Sequence, residues 1–323
     1  MHQLAFLAET LARHAPADGT YPCSLPGVSL LRSSTPTMPM PVVYQPTLCI
    51  VAQGRKRAML GATAFIYDAA SYLIASVDLP VMGSVIEASA ERPYLCLRLD
   101  LDMTALGEFA IRYPATRPET EGLPAALALN RTTPALLDAA TRLAGLLDTP
   151  DDIDALAPLI IREILYRLLT GDSGATIRQM ARADSRLNQV ARAIVWMRTH
   201  FREACPIEEL AEMAGMSRST FHAHFKAITS MSPLEFRTHL RMHEAQRLMV
   251  GDAMDAASAG FSVGYGSPSQ FSRDYTRIFG MPPARHAGRL RSSVEARPES
   301  PASESFAKHL RSEPVGVGGP AAS

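Results

Sequence analysis

The feature that most constrains this chain is an internal repeat in its C-terminal half. The stretch "STFHAHFKAITSMSP" at 219–233 aligns with "SQFSRDYTRIFGMPP" at 269–283 at a constant offset of 50 residues. Such self-similarity indicates one supersecondary unit used twice. Because proline and methionine agree as well as the helical apolar stripe, a chance match of two amphipathic helices is disfavoured. The matched pairs are Ser219 with Ser269, Phe221 with Phe271, Phe225 with Tyr275, Ile228 with Ile278, Met231 with Met281, and Pro233 with Pro283.

Each copy predicts a helix, a tight turn and a second helix. In the first copy Leu210 and Ala211 share the apolar face of a short helix, Gly215 ends it, and Ser217 caps the next one. A helix that follows a tight turn and exposes hydrogen-bond donors and cations is typical of one that enters a DNA major groove. The alternative interpretation is that this polar face is ordinary solvated surface. The residues predicted to contact DNA are Ser217, Arg218, Ser219, His222 and Lys226 in the first copy and Ser267, Ser269, Gln270, Arg273 and Arg277 in the second.

The segment that joins the copies, "SPLEFRTHLRMHEAQRLMV", predicts one stiff helix. Ser232 is placed as N-cap, Pro233 as the first helical residue, and Glu235 completes a capping box. About eighteen residues at ~1.5 Å each make a rod of roughly 27 Å. That length is compatible with two reading helices about one DNA turn, or roughly 34 Å, apart. Arg237 on this rod is predicted to contact phosphate, as is Lys226.

The same region contains "GFSVG" at 260–264, a formal match to the G-x-S-x-G nucleophile elbow of hydrolases. An elbow requires a buried strand before the serine and a helix directly after it. Here a helical "DAMDAASAG" precedes Ser262 and a turn, "GYGSPS", follows, so we expect Ser262 to end a scaffold helix. We therefore predict no catalytic residue and no enzyme. A metal-free cupin enzyme and a protein-interaction module are the alternatives.

The distribution of charged residues along the chain indicates the charge of its partner. The formal net charge is +0, but residues 185–291 hold 14 Arg and Lys against 9 Asp and Glu, and six of the nine histidines. A basic part joined to an acidic part indicates a polyanionic partner. The four cysteines are widely spaced and predict free thiols rather than a disulfide frame or a zinc site. No apolar run suits a membrane span, and Glu9 interrupts any signal-like start, so a cytoplasmic protein is expected.

The N-terminal half reads differently. Short β-rich runs alternate with Gly, Asp and Pro turns over 42–99, which predicts a small antiparallel barrel or sandwich, and the pattern turns helical from Met103. The predicted fold class is α+β with two domains, an N-terminal antiparallel β-barrel with helices and an all-α tandem helix-turn-helix domain. The predicted boundaries are 1–175 for the first domain, 176–188 for a linker, 189–291 for the second domain with units at about 207–228 and 252–279, and 292–323 for a disordered tail.

At this point the C-terminal residues resemble the AraC/XylS family of bacterial transcription regulators. The resemblance rests on "IEELAEMAGMSRSTFHAHFKAITSMSPLEF", "RLMV" and "VGYGSPSQFSRDYTRIFGMPP", which cover about a hundred residues in the family's order and spacing. It implies paired helix-turn-helix units on promoter DNA, with Ser219, His222, Ser269, Gln270 and Arg273 facing the bases. Three positions depart from the family pattern, and we expect the first unit to read DNA less specifically. They are Ala223 in place of Arg, Ser230 in place of Gly, and Gly260 in place of Ala.

The stretch from "PTLCIVAQG" to "RPYLCLRLDLD" resembles the N-terminal domain of one AraC-type subgroup, which implies a cupin-like barrel that senses a small molecule or mediates pairing. The sequence has no histidine between His14 and His200, which excludes a histidine-built metal centre in the barrel. We expect no metal and no cofactor. The expected partners are double-stranded promoter DNA, an unknown small-molecule effector, RNA polymerase and a second copy in a homodimer. The candidate effector contacts are Tyr44, Cys49, Gln53, Lys56 and Tyr72, each of which could equally be an ordinary strand, turn or core residue.

Overall fold

The N-terminal half is a two-layered antiparallel β structure in a computed structural model that describes residues 2–114, 125–204 and 206–295. The larger sheet has the order β1-β2-β9-β4-β7-β10 and the smaller one β3-β8-β5-β6. The barrel or sandwich predicted over 42–99 is confirmed. The strands are β1 (Gly19–Pro22), β2 (Val28–Ser33), β3 (Met40–Tyr44), β4 (Thr47–Gln53), β5 (Arg55–Leu60), β6 (Thr63–Asp68), β7 (Ser71–Ala75), β8 (Leu79–Glu87), β9 (Tyr94–Asp100) and β10 (Leu127–Arg131).

Helices pack on the larger sheet and form most of the described residues outside the strands. Helix α1 packs on strands β2, β4 and β9 and on α3. Short 3-10 turns at Leu146–Asp148 and Pro150–Asp152 connect α3 to α4. The helices are α1 (His2–His14), α2 (Met103–Arg112), α3 (Pro134–Gly145), α4 (Ile153–Thr170), α5 (Gly174–Ala181), α6 (Arg186–His200), α7 (Ile207–Met213), α8 (Arg218–Thr229), α9 (Pro233–Gly251), α10 (Ala256–Ser262), α11 (Pro268–Phe279) and α12 (Pro283–Glu295).

Two sequence expectations about helix bounds need correction. The stretch 176–188, predicted as a linker, is mostly helical: its first six residues belong to α5, which packs on α2 and α4 and buries Ile177 and Met180, and its last three begin α6. Buried apolar spacing, rather than the Gly and Ser content before it, decides the structure there. The first helix of the second unit starts at Ala256, not at 252, because Asp255 caps it by accepting from the N–H groups of Ala257 and Ser258. The predicted tail at 292–323 lies mostly outside the described residues.

The first helix-turn-helix unit shares its hydrophobic core with the N-terminal domain, whereas the second unit has a core of its own. The Ala126 N–H donates to the Ile228 carbonyl at 2.8 Å, which attaches the end of α8 to the segment before β10. A second link is the ion pair between Arg198 on α6 and the nearly buried Asp78. The N-terminal domain is therefore connected directly to one of the two units.

Candidate nucleic-acid interface and interior polar cluster

Helix α8 is amphipathic in the way that the repeat predicts. Phe221, Phe225 and Ile228 are each 0% exposed. Ser217 caps the helix, its Oγ accepting from the Thr220 N–H at 3.3 Å. The opposite face holds all five predicted DNA contacts of this unit. The exposed residues are Ser217, Arg218, Ser219, His222 and Lys226.

Helix α11 repeats this arrangement with a different start. Phe271 and Tyr275 are buried, and the Tyr275 hydroxyl lies 3.1 Å from Nδ1 of His286 on α12. Pro268 is the first helical residue, and the half-buried Ser267 makes no side-chain cap, so the N–H groups of the first turn have no side-chain acceptor there. A helix N-terminus of this kind attracts anions. The exposed predicted contacts of this unit are Ser269, Gln270, Arg273 and Arg277.

Helix α9 joins the two units and is held by a complete capping box. The Ser232 N–H donates to Glu235 Oε2 at 2.8 Å, and the Glu235 N–H donates to Ser232 Oγ at 3.3 Å. These reciprocal bonds satisfy two of the otherwise free donors at its first turn. Its 19 residues span about 28 Å at ~1.5 Å per residue. The predicted spacer helix and its cap are confirmed.

Arg241 on α9 was not among the predicted site residues. Its guanidinium donates to the carbonyls of Phe201 at 2.7 Å and Arg202 at 2.9 Å, after α6, and to that of Gly264 at 3.1 Å in the turn of the second unit. One side chain thus ties the end of α6 to the turn that precedes α11. Sequence periodicity gives no signal for it, because these acceptors are main-chain atoms 23 to 40 residues away.

Three predicted DNA contacts meet at a groove between α9 and α11. Arg237, Gln270 and Arg277 line this space of about 330 Å³, together with Arg241 and Asp274. Arg237 also donates to the Glu203 carbonyl at 3.2 Å, and Arg277 pairs with Asp274 at 3.0 Å. Exposed ion pairs of this kind contribute little to stability and can exchange for phosphate. In the first unit the exposed Arg218 pairs with Glu208 in the same way, at 2.8 Å.

The C-terminal ends of the two reading helices differ in one backbone position. Ser230 closes α8 with φ 59°, and Gly280 closes α11 with φ 70°. Both conformations are left-handed, a region that a side chain disfavours and glycine accepts. The strained turn expected at Ser230 is therefore confirmed.

Gly260 fits a close helix contact. A Cβ at this position would lie 2.9 Å from Cγ and 3.0 Å from Cδ1 of Phe271, the buried aromatic of α11. The absence of a side chain lets α10 approach α11, which is a packing reason for the departure from alanine that the sequence could not supply.

Helix α9 carries the buried His243 and the half-buried His239. Burial lowers the pKa of His243 from its usual 6.5 to about 3, and neither ring nitrogen has a hydrogen-bond partner. Burial also lowers the pKa of His239, whose ring centre is 6.1 Å from that of His243. Both rings are therefore neutral near pH 7. Unpartnered buried polar atoms destabilise the folded state.

Inside the β structure, four polar side chains converge from strands β3, β5, β6 and β9. The Lys56 Nζ lies 5.7 Å from the centre of the Tyr44 ring and 6.0 Å from that of Tyr94. The Tyr44 and Tyr67 hydroxyls are 3.1 Å apart. Two buried thiols from the larger sheet adjoin this group. We call the set the interior polar cluster, and its members are Tyr44, Lys56, Tyr67, Tyr94, Cys49 and Cys96.

The charges in the interior polar cluster follow from its composition. Burial alone would lower the pKa of Lys56, but the facing Tyr44 hydroxyl and the two thiols outweigh burial and leave that pKa raised. The ammonium therefore keeps its proton. Burial raises the pKa of Tyr67 and of Tyr94, so both phenols are neutral donors. The hydrogen bond between the thiols raises the pKa of Cys49 and lowers that of Cys96.

The structure thus brings together three of the five candidate effector contacts, Tyr44, Cys49 and Lys56. Tyr72 does not join them, since its hydroxyl lies 2.8 Å from Ser173 Oγ before α5, on the helical side of the sheet. Gln53 donates to the Pro93 carbonyl at 2.8 Å and so links the end of β4 to the residue before β9. Successive residues of a strand face opposite sides of the sheet, and Tyr72 pairs with Ile50, so it faces away from Cys49. No group of three or more metal-ligating side chains occurs in the residues that the structure describes.

Ser262 is the last residue of α10, and its Oγ contacts Met254 Sδ at 3.6 Å. The expected helix end is confirmed, and the strand that a nucleophile elbow requires is replaced by a helix. None of the helices in the described ranges combines the length and apolarity needed to cross a bilayer.

Comparison with known proteins agrees with this geometry. The profile of the AraC-type transcriptional regulator N-terminus matches residues 24–176, and that of a helix-turn-helix domain matches 210–289. The chain belongs to the AraC/XylS family. Like AraC/XylS proteins, it combines a β-rich N-terminal domain with tandem helix-turn-helix units.

Individual AraC/XylS relatives match over part of their length. The chain is 32% identical over 106 residues to the RCS-specific activator RclR of Escherichia coli, covering 33% of this chain and 36% of RclR. It is 30% identical over 96 residues to the MmsAB operon regulatory protein of Pseudomonas aeruginosa, covering 30% of this chain and 31% of that protein. The matches thus span about a third of these relatives' length.

A solved structure shows the same two-domain fold. ToxT from Vibrio cholerae, bound to (E)-4-(8-methylnaphthalen-1-yl)but-3-enoic acid, has a TM-score of 0.52 at 10% identity. The match covers 81% of this chain and 98% of ToxT.

Proposed function

We propose that this chain is a sequence-specific regulator that binds bacterial promoter DNA in the cytoplasm through both helix-turn-helix units, under the control of a small molecule in the N-terminal domain. The observation that carries the proposal is the exposure of two matched polar helix faces, on α8 and α11, whose apolar faces are buried. A protein with two such helices on one capped rod can reach successive major grooves. RNA polymerase and a second copy of the chain complete the proposed set of partners.

Base reading and phosphate binding fall to different side chains. Ser219 and His222 on α8, and Gln270 and Arg273 on α11, are exposed in the first two turns, where a reading helix meets base edges. Lys226, Arg237 and Arg277 are proposed to contact phosphates. The exposed Ala223 beside His222 offers no hydrogen-bonding side chain, so the second unit is proposed to read the sequence more strictly.

Control by an effector requires a physical connection between the domains, and the shared core provides one. Strands β3 and β8 of the smaller sheet pack on α9, and the end of α8 is hydrogen-bonded to Ala126. A change in the spacing of the two sheets would therefore move the first unit relative to the second, which has a separate core. We propose this displacement as the route by which the N-terminal domain alters DNA binding.

The proposal is tested by fluorescence anisotropy of the full-length protein on the DNA upstream of its own gene and on a shuffled sequence of equal composition. We expect preference for the first DNA and a steep loss of affinity with salt. With about six phosphates neutralised, affinity falls roughly a thousandfold between 50 and 200 mM salt.

Matched variants separate base reading from charge. Arg273→Ala should weaken binding to the preferred DNA by about 5- to 150-fold, or ~1–3 kcal/mol, and should weaken binding to the shuffled DNA much less. Arg57→Ala removes the same charge from an exposed position on β5 and should change neither. Equal, salt-insensitive affinity for both DNAs would instead support a protein-interaction module.

A further inference from the structure

We propose that Arg241 is a positioning residue for DNA recognition: it fixes the separation of the two reading helices and so determines which spacing between two half-sites the protein accepts. This inference rests on the proposed function and names the residue that sets the register between its two units. The observation that carries it is a single guanidinium whose three nitrogens each donate to a main-chain carbonyl, in two segments that belong to different units.

One side of this junction belongs to the first unit. Helix α6 packs on α7 and α8, so its C-terminal end moves with the first reading helix. Arg241 Nε donates to the Phe201 carbonyl at 2.7 Å, and Arg241 Nη2 donates to the Arg202 carbonyl at 2.9 Å, directly after that helix. Carbonyl groups at a helix C-terminus lack partners within the helix and carry partial negative charge, so a cation stabilises them.

The other side of the junction belongs to the second unit. Arg241 Nη1 donates to the Gly264 carbonyl at 3.1 Å, in the turn between α10 and α11. The guanidinium carbon lies 5.6 Å from the centre of the Tyr265 ring in the same turn. Tyr265 contacts α11 twice, because its ring centre lies 5.6 Å from that of Phe271 and its hydroxyl donates to Asp274 at 3.0 Å. A shift of Arg241 would therefore displace the second reading helix.

The two segments approach each other closely at Gly264. Its φ is 86°, a conformation that glycine accepts and a side chain disfavours. A Cβ at this position would lie 2.4 Å from the Arg202 carbonyl oxygen and 3.0 Å from Arg241 Nη2. The turn of the second unit thus lies directly against the end of α6, which restricts the movement of one unit relative to the other.

A restricted separation has a consequence for the DNA. One base pair more or fewer between two half-sites moves them by about 3.4 Å along the duplex and rotates them by roughly 35°, because a turn holds about 10 base pairs in ~34 Å. Hydrogen bonds to base edges do not survive a displacement of that size. Units held by Arg241 should therefore discriminate against altered spacing, whereas loosely joined units should adapt to it. The displacement proposed above for control by an effector must act on this junction.

The inference is tested with the DNA that the full-length wild-type protein selects from a random pool. Affinity is measured by fluorescence anisotropy for that DNA and for two copies that carry one base pair more or one fewer between the half-sites. The wild-type protein should bind both altered copies at least about tenfold more weakly, since a single lost base contact has an effect of that order. Arg241→Met should bind the selected DNA more weakly than the wild type does, and it should bind the three DNAs with nearly equal affinity.

Arg277→Met is the matched control, because Arg277 lines the same groove but forms its ion pair with Asp274 within α11. It should weaken binding to all three DNAs by a similar factor and keep the wild-type spacing preference. Two further variants alter the junction by other routes. Arg241→Lys keeps the positive charge without the planar fork of donors, and Gly264→Ala adds a Cβ without removing a charge. Both should lose the spacing preference, and circular dichroism checks that each variant keeps the wild-type helix content.

Two results would overturn the inference. One is that folded Arg241 variants keep the wild-type spacing preference, and the other is that the wild-type protein binds all three spacings alike. The selection step keeps the two proposals apart. A random pool from which no sequence is enriched refutes the proposed function, whereas an enriched site whose spacing preference survives Arg241→Met refutes only the role of Arg241.

Discussion

Replacing Ser230 by glycine is expected to stabilise the protein, because this serine closes helix α8 in a left-handed conformation with φ 59° and ψ 12°. A side chain in that region costs roughly 1–2 kcal/mol. Glycine removes this cost, but it also gives the unfolded chain more conformational freedom, which offsets about 0.4–1 kcal/mol of the stabilisation. Ser230 is exposed, so no buried contact is lost. The net gain should be about 0.5–1 kcal/mol, or roughly 1–4 °C in Tm.

The repeat supplies the reciprocal experiment. Gly280 closes α11 with φ 70°, and a Cβ there meets no atom within 4 Å, so Gly280→Ser isolates the backbone term. It should lower the Tm by as much as Ser230→Gly raises it, and the double exchange should be nearly neutral. The assay is thermal unfolding of the full-length protein, followed by circular dichroism. A destabilised Ser230→Gly variant, or an unchanged Gly280→Ser variant, would refute the backbone argument.

The remaining predictions concern pH, packing and recognition. The folded-state pKa of His243 lies below its unfolded value of 6.5. The free energy of unfolding therefore has its full value above pH 6.5 and decreases as the pH falls towards about 3. At pH 5 this histidine alone should lower the free energy of unfolding by about 2 kcal/mol. His243→Leu should therefore flatten the dependence of Tm on pH between 7 and 5, and an unaltered slope would contradict the lowered pKa of His243. Gly260→Ala should destabilise by about 1–2 kcal/mol in urea unfolding despite its better helix propensity, because its Cβ meets buried Phe271, and a stabilised variant would contradict the close contact. Arg273→Ala should relax preference at one base position in competition binding, and equal weakening on every competitor would count against base contact there.

Much of the C-terminal architecture was predictable because its signals are local. Caps at Ser217 and Ser232, a helix stop at Gly215 and a 3.6-residue apolar stripe each act over one or two turns, and the repeat supplied them twice. Segments in which local signals agree with tertiary packing are predictable from the sequence.

The features that escaped prediction depend on contacts between distant parts of the chain. Lys56 and Tyr94 lie on strands of different sheets, so nothing in the sequence places them side by side. Arg241 acts on main-chain carbonyls, which carry no residue-type signal. Helix α5 was hidden by the Gly and Ser residues before it, because a short segment gives too little periodicity to outweigh its flanks.

The spacing of the DNA contacts made by the full-length protein tests the paired reading by α8 and α11 most directly. A site is selected from random DNA and then footprinted with hydroxyl radicals. Two reading helices on one rod should protect two segments about 10 base pairs apart on one face of the duplex. Arg273→Ala should weaken protection of one segment, and His222→Ala that of the other. No enriched sequence, or a single protected segment that both substitutions affect alike, would contradict the paired reading by α8 and α11.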